Sequence, residues 1–177
     1  MRTAASVAGL CVLAASFSAS AFERSDGTVV RCEVTRNAET REIREVWLGH
    51  GDPGDRHPEL GGAAAVVRTG TDGWPVIYFD SVVFKAMTER DPHMSDFVFY
   101  HECAHAKYET HDEIEANCIA YLELERQGLL THDRQQALGE THKKMRRLPS
   151  RYGGSGAVFW ERTLSCVNDR LRPAGTR

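Results

Sequence analysis

Beyond its N-terminal stretch the chain has no apolar run long enough to cross a membrane, so no stable membrane insertion is expected of that part. It has no excess of charge of one sign either: a formal net charge of −3 offers no general attraction to nucleic acid. The one basic cluster, KKMRR at 143–147, lacks the interleaved aromatics on which bases stack, and it reads as a solvated face of a helix. No nucleic-acid partner is expected. There are no internal repeats and no low-complexity tract, and 177 residues with 41% hydrophobic content suffice for one compact domain with a core.

Cysteine is scarce, and its placement is informative. The chain opens MRTAASVAGLCVLAASFSASAFE: Arg2 is a positive start, Val7 to Phe17 are almost wholly apolar, and Ala19-Ser20-Ala21 is a small-x-small cleavage site. This predicts an export signal over residues 1–21 and a single domain over 22–177, periplasmic or secreted. Leu10 stands where a lipoprotein signal needs a small residue before Cys11, so no lipid anchor is expected. Removing the signal leaves Cys32, Cys103, Cys118 and Cys166, an even set that reads as two disulfides with three possible pairings.

Thr28 to Val34 has strand character. Asn37 reads as the N-cap of a helix carrying Ile43, Val46 and Trp47 on one side and stopped by Gly49. Residues 49–62 form a loop whose histidines, His50 and His57, show no regular ligand spacing. Ala63 to Arg68 and Pro75 to Phe79, separated by GTDG, predict neighbouring strands. From Ser81 the pattern is helical: Asp91-Pro92 starts a helix through Phe97, Val98 and Tyr100, and further helices are expected at about 112–127, 132–147 and 157–171. The fold class is α+β, mostly helical around a small sheet.

The informative stretch is FVFYHECAHAKYETHDEIEANCIA, residues 97–120. His101 and His105 are four apart, so both rings lie on one helical face and can reach one ion. Glu102, between them, can hold water beside that ion and take its proton, the H-E-x-x-H arrangement. The preceding FVFY turn would bury this helix, and two imidazoles and a carboxylate without partners would be costly there. A cation relieves that cost.

A catalytic zinc takes three protein ligands and leaves a position for water. Glu109 lies too far along the same helix. His111 follows His105 by six residues, as in the metzincin pattern, but that pattern needs glycine where this chain has Tyr108. A short turn near 109–111 would fold the next helix back as an αα-hairpin, bringing residues 113–115 toward His105. Glu113 begins a stripe of small residues with Ala116, Asn117 and Ala120, whereas Glu115 points roughly opposite and can serve the N-cap Asp112. Glu113 is the favoured third ligand, with Glu115 and His111 as alternatives. Cys103 and Cys118 are nearly symmetric about the same turn, which favours Cys103 with Cys118 and Cys32 with Cys166.

These residues resemble the gluzincin clan of zinc metallopeptidases, in which H-E-x-x-H on one helix is completed by a glutamate on the next within E-x-x-x-D or E-x-x-A-N. The matching letters are His101, Glu102 and His105, then Glu113-Ile114-Glu115-Ala116-Asn117, with the upstream PVIYFDSVVFKAM in the order such domains use. The resemblance implies a zincin-like fold and one Zn2+ on His101, His105 and Glu113. It also implies that Asn117 orients a liganding imidazole. The gap from His105 to Glu113 is short for the clan, and no clear substrate-binding lobe follows. The chemistry expected is hydrolysis of a peptide or protein substrate, with Glu102 as general base and a separate donor for the oxyanion. Tyr152 in RYGGSG, His142 and Tyr108 are candidates for that donor. The alternative is a non-catalytic, zinc-containing, disulfide-stapled envelope or secreted binding domain; a third reading is a metal-free, cysteine-stapled module.

Overall fold

The computed structural model describes residues 21–49 and 57–172. Residues 1–20 of the expected export signal, Cys11 among them, and His50 lie outside the described residues.

The N-terminal strands form two small hairpins, β1 (Phe22–Glu23) with β2 (Val29–Val30) and β3 (Glu33–Arg36) with β4 (Glu39–Glu42). The helix expected after Asn37 does not form. Arg36 pairs with Glu39, and the two residues between them, Asn37 (φ 50°) and Ala38 (φ 66°), are both left-handed, as a tight hairpin turn of the type matching strand twist requires. Asn37 is thus a turn residue rather than a cap. The segment bearing Val46 and Trp47 becomes β5 (Arg44–Leu48), recruited by a parallel pairing with a strand more than thirty residues on, Arg44 opposite Val76.

That central strand, β7 (Pro75–Asp80), is buried almost throughout; β5 lies parallel on one side and β6 (Ala65–Thr69) antiparallel on the other. The neighbouring strands expected from the two apolar runs are present and pair as an antiparallel hairpin. Strand β6 is an edge of this sheet.

Asp80 ends β7 and caps α1 (Ser81–Arg90) through the N–H groups of Val82 and Val83. Asp91 caps α2 (Pro92–Tyr108), with Pro92 at its first position. Helices α3 (Glu113–Arg126), α4 (His132–Lys144) and α5 (Gly156–Leu171) complete the chain, capped by Asp112, Thr131 and Ser155. Helix α4 stops at Lys144, short of the expected 147, so Met145 to Arg147 of the basic cluster are exposed non-helical chain. The fold class is α+β, and α2 is its centre: it packs against the sheet, α1, α3 and α4.

The disulfides differ from the favoured pairing. They join Cys32 to Cys103 and Cys118 to Cys166. Cys103 lies two residues from each of His101 and His105, about 200° around the helix, so it points away from α3 and toward the chain entering β3. Equal distance from the turn brought Cys103 and Cys118 to the same level of neighbouring helices but on diverging faces. Cys118 faces α5 instead.

Candidate metal centre

Helix α2 ends at Tyr108, and Glu109 adopts the left-handed conformation (φ 51°) that breaks it. The break falls one residue after the position the metzincin spacing assigns to glycine. Asp112 then starts α3 by accepting from the N–H groups of Ile114 (2.8 Å) and Glu115 (3.1 Å). This hairpin delivers Glu113, the first residue of α3, to the histidine face of α2.

The geometry is tight. His101 Nε2 lies 3.0 Å from His105 Nε2, and Glu113 Oε2 lies 3.2 Å from the first and 3.3 Å from the second. A tetrahedral zinc with bonds near 2.0–2.1 Å separates neighbouring ligand atoms by about 3.3 Å. The triangle already has that edge length.

Hydrogen bonding decides which atoms face inward. Thr163 of α5 donates its hydroxyl to Phe159 O (2.9 Å), so its oxygen accepts from Asn117 Nδ2 (3.2 Å). The Asn117 amide is thereby oriented with Oδ1 toward His101 Nδ1 (2.8 Å), which must carry the proton. His105 Nδ1 likewise donates to Thr110 O at 2.7 Å. Both Nε2 atoms therefore present lone pairs to each other and to a carboxylate oxygen, a repulsive arrangement that a shared cation removes.

The electrostatics express the same demand. Burial works to raise the Glu113 carboxyl, yet positive charge drawn to the His101–His105 face, as when a ring nitrogen there is protonated, outweighs it and holds Glu113 well below the usual carboxylate range. Burial works to lower His105, yet Glu113 and the Thr110 carbonyl outweigh it and raise its affinity for positive charge. Among the described residues, His101, His105 and Glu113 form the one cluster able to hold a metal ion. The donor set, two neutral imidazoles and one carboxylate, fits zinc.

Glu102 is 7% exposed, and burial pushes its carboxyl upward. It lines a cleft of about 400 Å³ shared with His105, Glu113 and the edge strand β6. Of the three donors considered from sequence, Tyr152 alone lines this cleft. His142 is buried instead, stacked on Trp160 at 4.7 Å and donating to Leu138 O. Tyr108 is exposed and lines a different depression.

The alternative ligands stand apart from the triangle. Glu115 accepts from the Thr110 hydroxyl (2.8 Å) and pairs with Arg170 (2.9 Å). His111 is exposed at the cleft margin. Sequence reasoning missed two residues here: Thr163, which orients Asn117, and Arg151, whose Nε lies 3.1 Å from Glu113 Oε1. Neither carries a local signal. Arg151 enters beside Tyr152 on a short 3-10 turn, Ser150–Tyr152. Comparison with protein-family models, curated proteins and solved structures found no match to this chain.

Proposed function

We propose that this chain is an exported zinc-dependent hydrolase of peptide bonds, of the gluzincin type, with zinc on His101, His105 and Glu113 and Glu102 as general base. One observation carries the reading: three ligand atoms lie 3.0–3.3 Å apart while both imidazole Nδ1 atoms are committed to carbonyl acceptors. Glu113 and Asn117 also occupy the E-x-x-A-N positions, and Asn117 bonds His101 as that pattern requires.

When bound, zinc supplies a Lewis acid that polarises a carbonyl and lowers the pKa of a water toward about 7. Glu102, held beside that position on the wall of the cleft, takes the proton of the attacking water and returns it to the leaving amine. Burial raises its proton affinity above that of a free carboxylate. Tyr152 lines the same cleft, and its hydroxyl would serve as the donor toward the developing oxyanion. Edge strand β6 lines the cleft and offers backbone partners to an extended peptide. Export is supported by the N-terminal signal pattern and the two disulfides. Among the described residues no helix is long and apolar enough to cross a membrane.

Elemental analysis of the mature protein, then hydrolysis of a mixed peptide library, tests the reading. Near-stoichiometric zinc should be lost in His101→Ala and His105→Ala, and Glu113→Gln should weaken it more than Glu115→Gln or His111→Ala. Glu102→Gln should keep zinc and fold while abolishing cleavage. A zinc-loaded wild type that cuts nothing points to the binding-domain alternative; a protein that refuses zinc defeats both.

A further inference from the structure

Strand β5 directs Glu45 and Trp47 to one face, two residues apart. That face meets an aromatic cluster. Trp47 packs edge-on against Phe84 at 5.4 Å, Phe22 meets the same ring at 5.8 Å, and Phe22 stacks on Phe99 of α2 at 4.4 Å. A glutamate is an unfavourable neighbour there. Glu45 is 6% exposed, and its Oε2 is buried without a hydrogen-bond partner. The Phe22 backbone N–H and the Trp47 side chain reach the carboxylate. Of the charged groups that face it, Arg31 is engaged with Glu42 at 2.8 Å, and Glu42 is itself a like charge. Burial accordingly pushes Glu45 up to about 7, so its charge lacks an adequate partner.

Phe22 is also the residue that follows Ala19-Ser20-Ala21. We propose that Glu45 is a preformed acceptor for the mature chain's own α-ammonium: cleavage after Ala21 turns the Phe22 amide nitrogen into a cation that forms a buried ion pair with Glu45. The inference rests on the export reading above and is independent of the zinc reading.

The step balances. A separate signal-cleaving endopeptidase hydrolyses the Ala21–Phe22 bond, water's hydroxyl goes to the Ala21 carbonyl carbon, and the Phe22 nitrogen leaves as an amine. With an ordinary pKa of about 8 that amine is mostly protonated at neutral pH. An ammonium has three donors, enough to meet the unpartnered Glu45 oxygen and the paired strand β2, where Val30 stands opposite Phe22.

The pair would brace the helix that carries the histidines. Phe99, under the Phe22 ring, and Tyr100, whose hydroxyl accepts from Arg24 at 3.4 Å, immediately precede His101. Ser25 N also donates to Asp96 of α2 at 2.8 Å. Processing thus locks β1 onto α2, and an unprocessed chain keeps a buried carboxylate without a countercharge.

Four chains test this: one released from a fusion so that it begins at Phe22, one with a single extra alanine before Phe22, and the Glu45→Gln form of each. At pH 7 the extra alanine should lower Tm by about 5–10 °C. Glu45→Gln should lower the chain beginning at Phe22 similarly and should not lower the extended chain. Equal effects of Glu45→Gln on both chains, or no effect of the alanine, overturn the proposal. Should the Glu45→Gln form of the chain beginning at Phe22 fail to fold, NMR titration of its wild-type α-amino group decides: a pKa raised above about 9 supports the pair and an ordinary value near 8 overturns it. N-terminal sequencing of the exported protein tests the cut separately. A start at Phe22 supports the proposal and any other start overturns it, while zinc content of the same chains reports independently on the metal reading.

Discussion

Thr163→Val is the sharpest probe of the metal centre, because Thr163 is not one of the proposed ligands and is fully buried. Valine has the same shape, so no cavity opens; what is lost is the hydroxyl between Asn117 Nδ2 and Phe159 O. A buried amide N–H left without an acceptor costs about 2 kcal/mol, which lowers Tm by about 6 °C in a chain of this size. The larger consequence is loss of orientation. With Nδ2 unanchored, the Asn117 amide can turn its NH2 toward His101, favouring the tautomer whose proton sits on Nε2, where a ligand lone pair is needed. Zinc affinity should fall about tenfold, the lower end of what losing an orienting partner costs. Thr163→Ser, which keeps both hydrogen bonds, should bind as wild type. Competition against a chromophoric chelator gives the affinities and thermal melts give the stability. Wild-type affinity in Thr163→Val, alongside weakened binding in Asn117→Ala, would refute the claim that Thr163 orients the amide.

Burial among Phe97, Phe159 and Trp160 pushes the His142 imidazole down from 6.5 to about 4. It is neutral in the fold and charges on unfolding, so its contribution is fully present above about pH 6.5 and is lost as pH falls through about 4, at most about 3 kcal/mol. Denaturant melts between pH 4 and 7 should show that slope, and His142→Phe should flatten it. The measurement belongs on the chain beginning at Phe22. An unpaired Glu45, raised from 4.5 to about 7, loses stability as pH rises across nearly the same window and would mask it. Cys32–Cys103 and Cys118–Cys166 close spans of 71 and 48 residues, so breaking either by a double Cys→Ala change should cost about 4 kcal/mol by the loop-entropy relation. A non-reduced peptide map should link Cys32 to Cys103, and a Cys103–Cys118 peptide would contradict the helix faces described above.

Features that depend on a few neighbouring residues were legible. Asp91-Pro92 announces the start of α2, the GTDG spacer separates β6 from β7, and the four-residue spacing of His101 and His105 puts both rings on one side of a helix. Residues 37–48 were not legible, because Ile43, Val46 and Trp47 satisfy a helical stripe as well as they satisfy a strand. A left-handed turn at Asn37-Ala38 and a distant partner strand resolved the ambiguity. Interhelical facing was also out of reach: equal distance from a turn sets the level of two residues on an αα-hairpin, whereas the angle around each axis decides whether they meet. That angle separated Cys103 from Cys118.

The order of residues was enough to determine which side chains could grip a cation and that two of them share a helical turn, since a 3.6-residue repeat is a local property. Tertiary structure alone decided that Glu113 completes the triangle, that Thr163 and Asn117 set which imidazole nitrogen faces inward, and that Glu45 is buried in the aromatic cluster around Phe22. Those contacts join residues 8 to 46 positions apart, and only the packing of whole helices and strands brings such atoms within hydrogen-bonding distance.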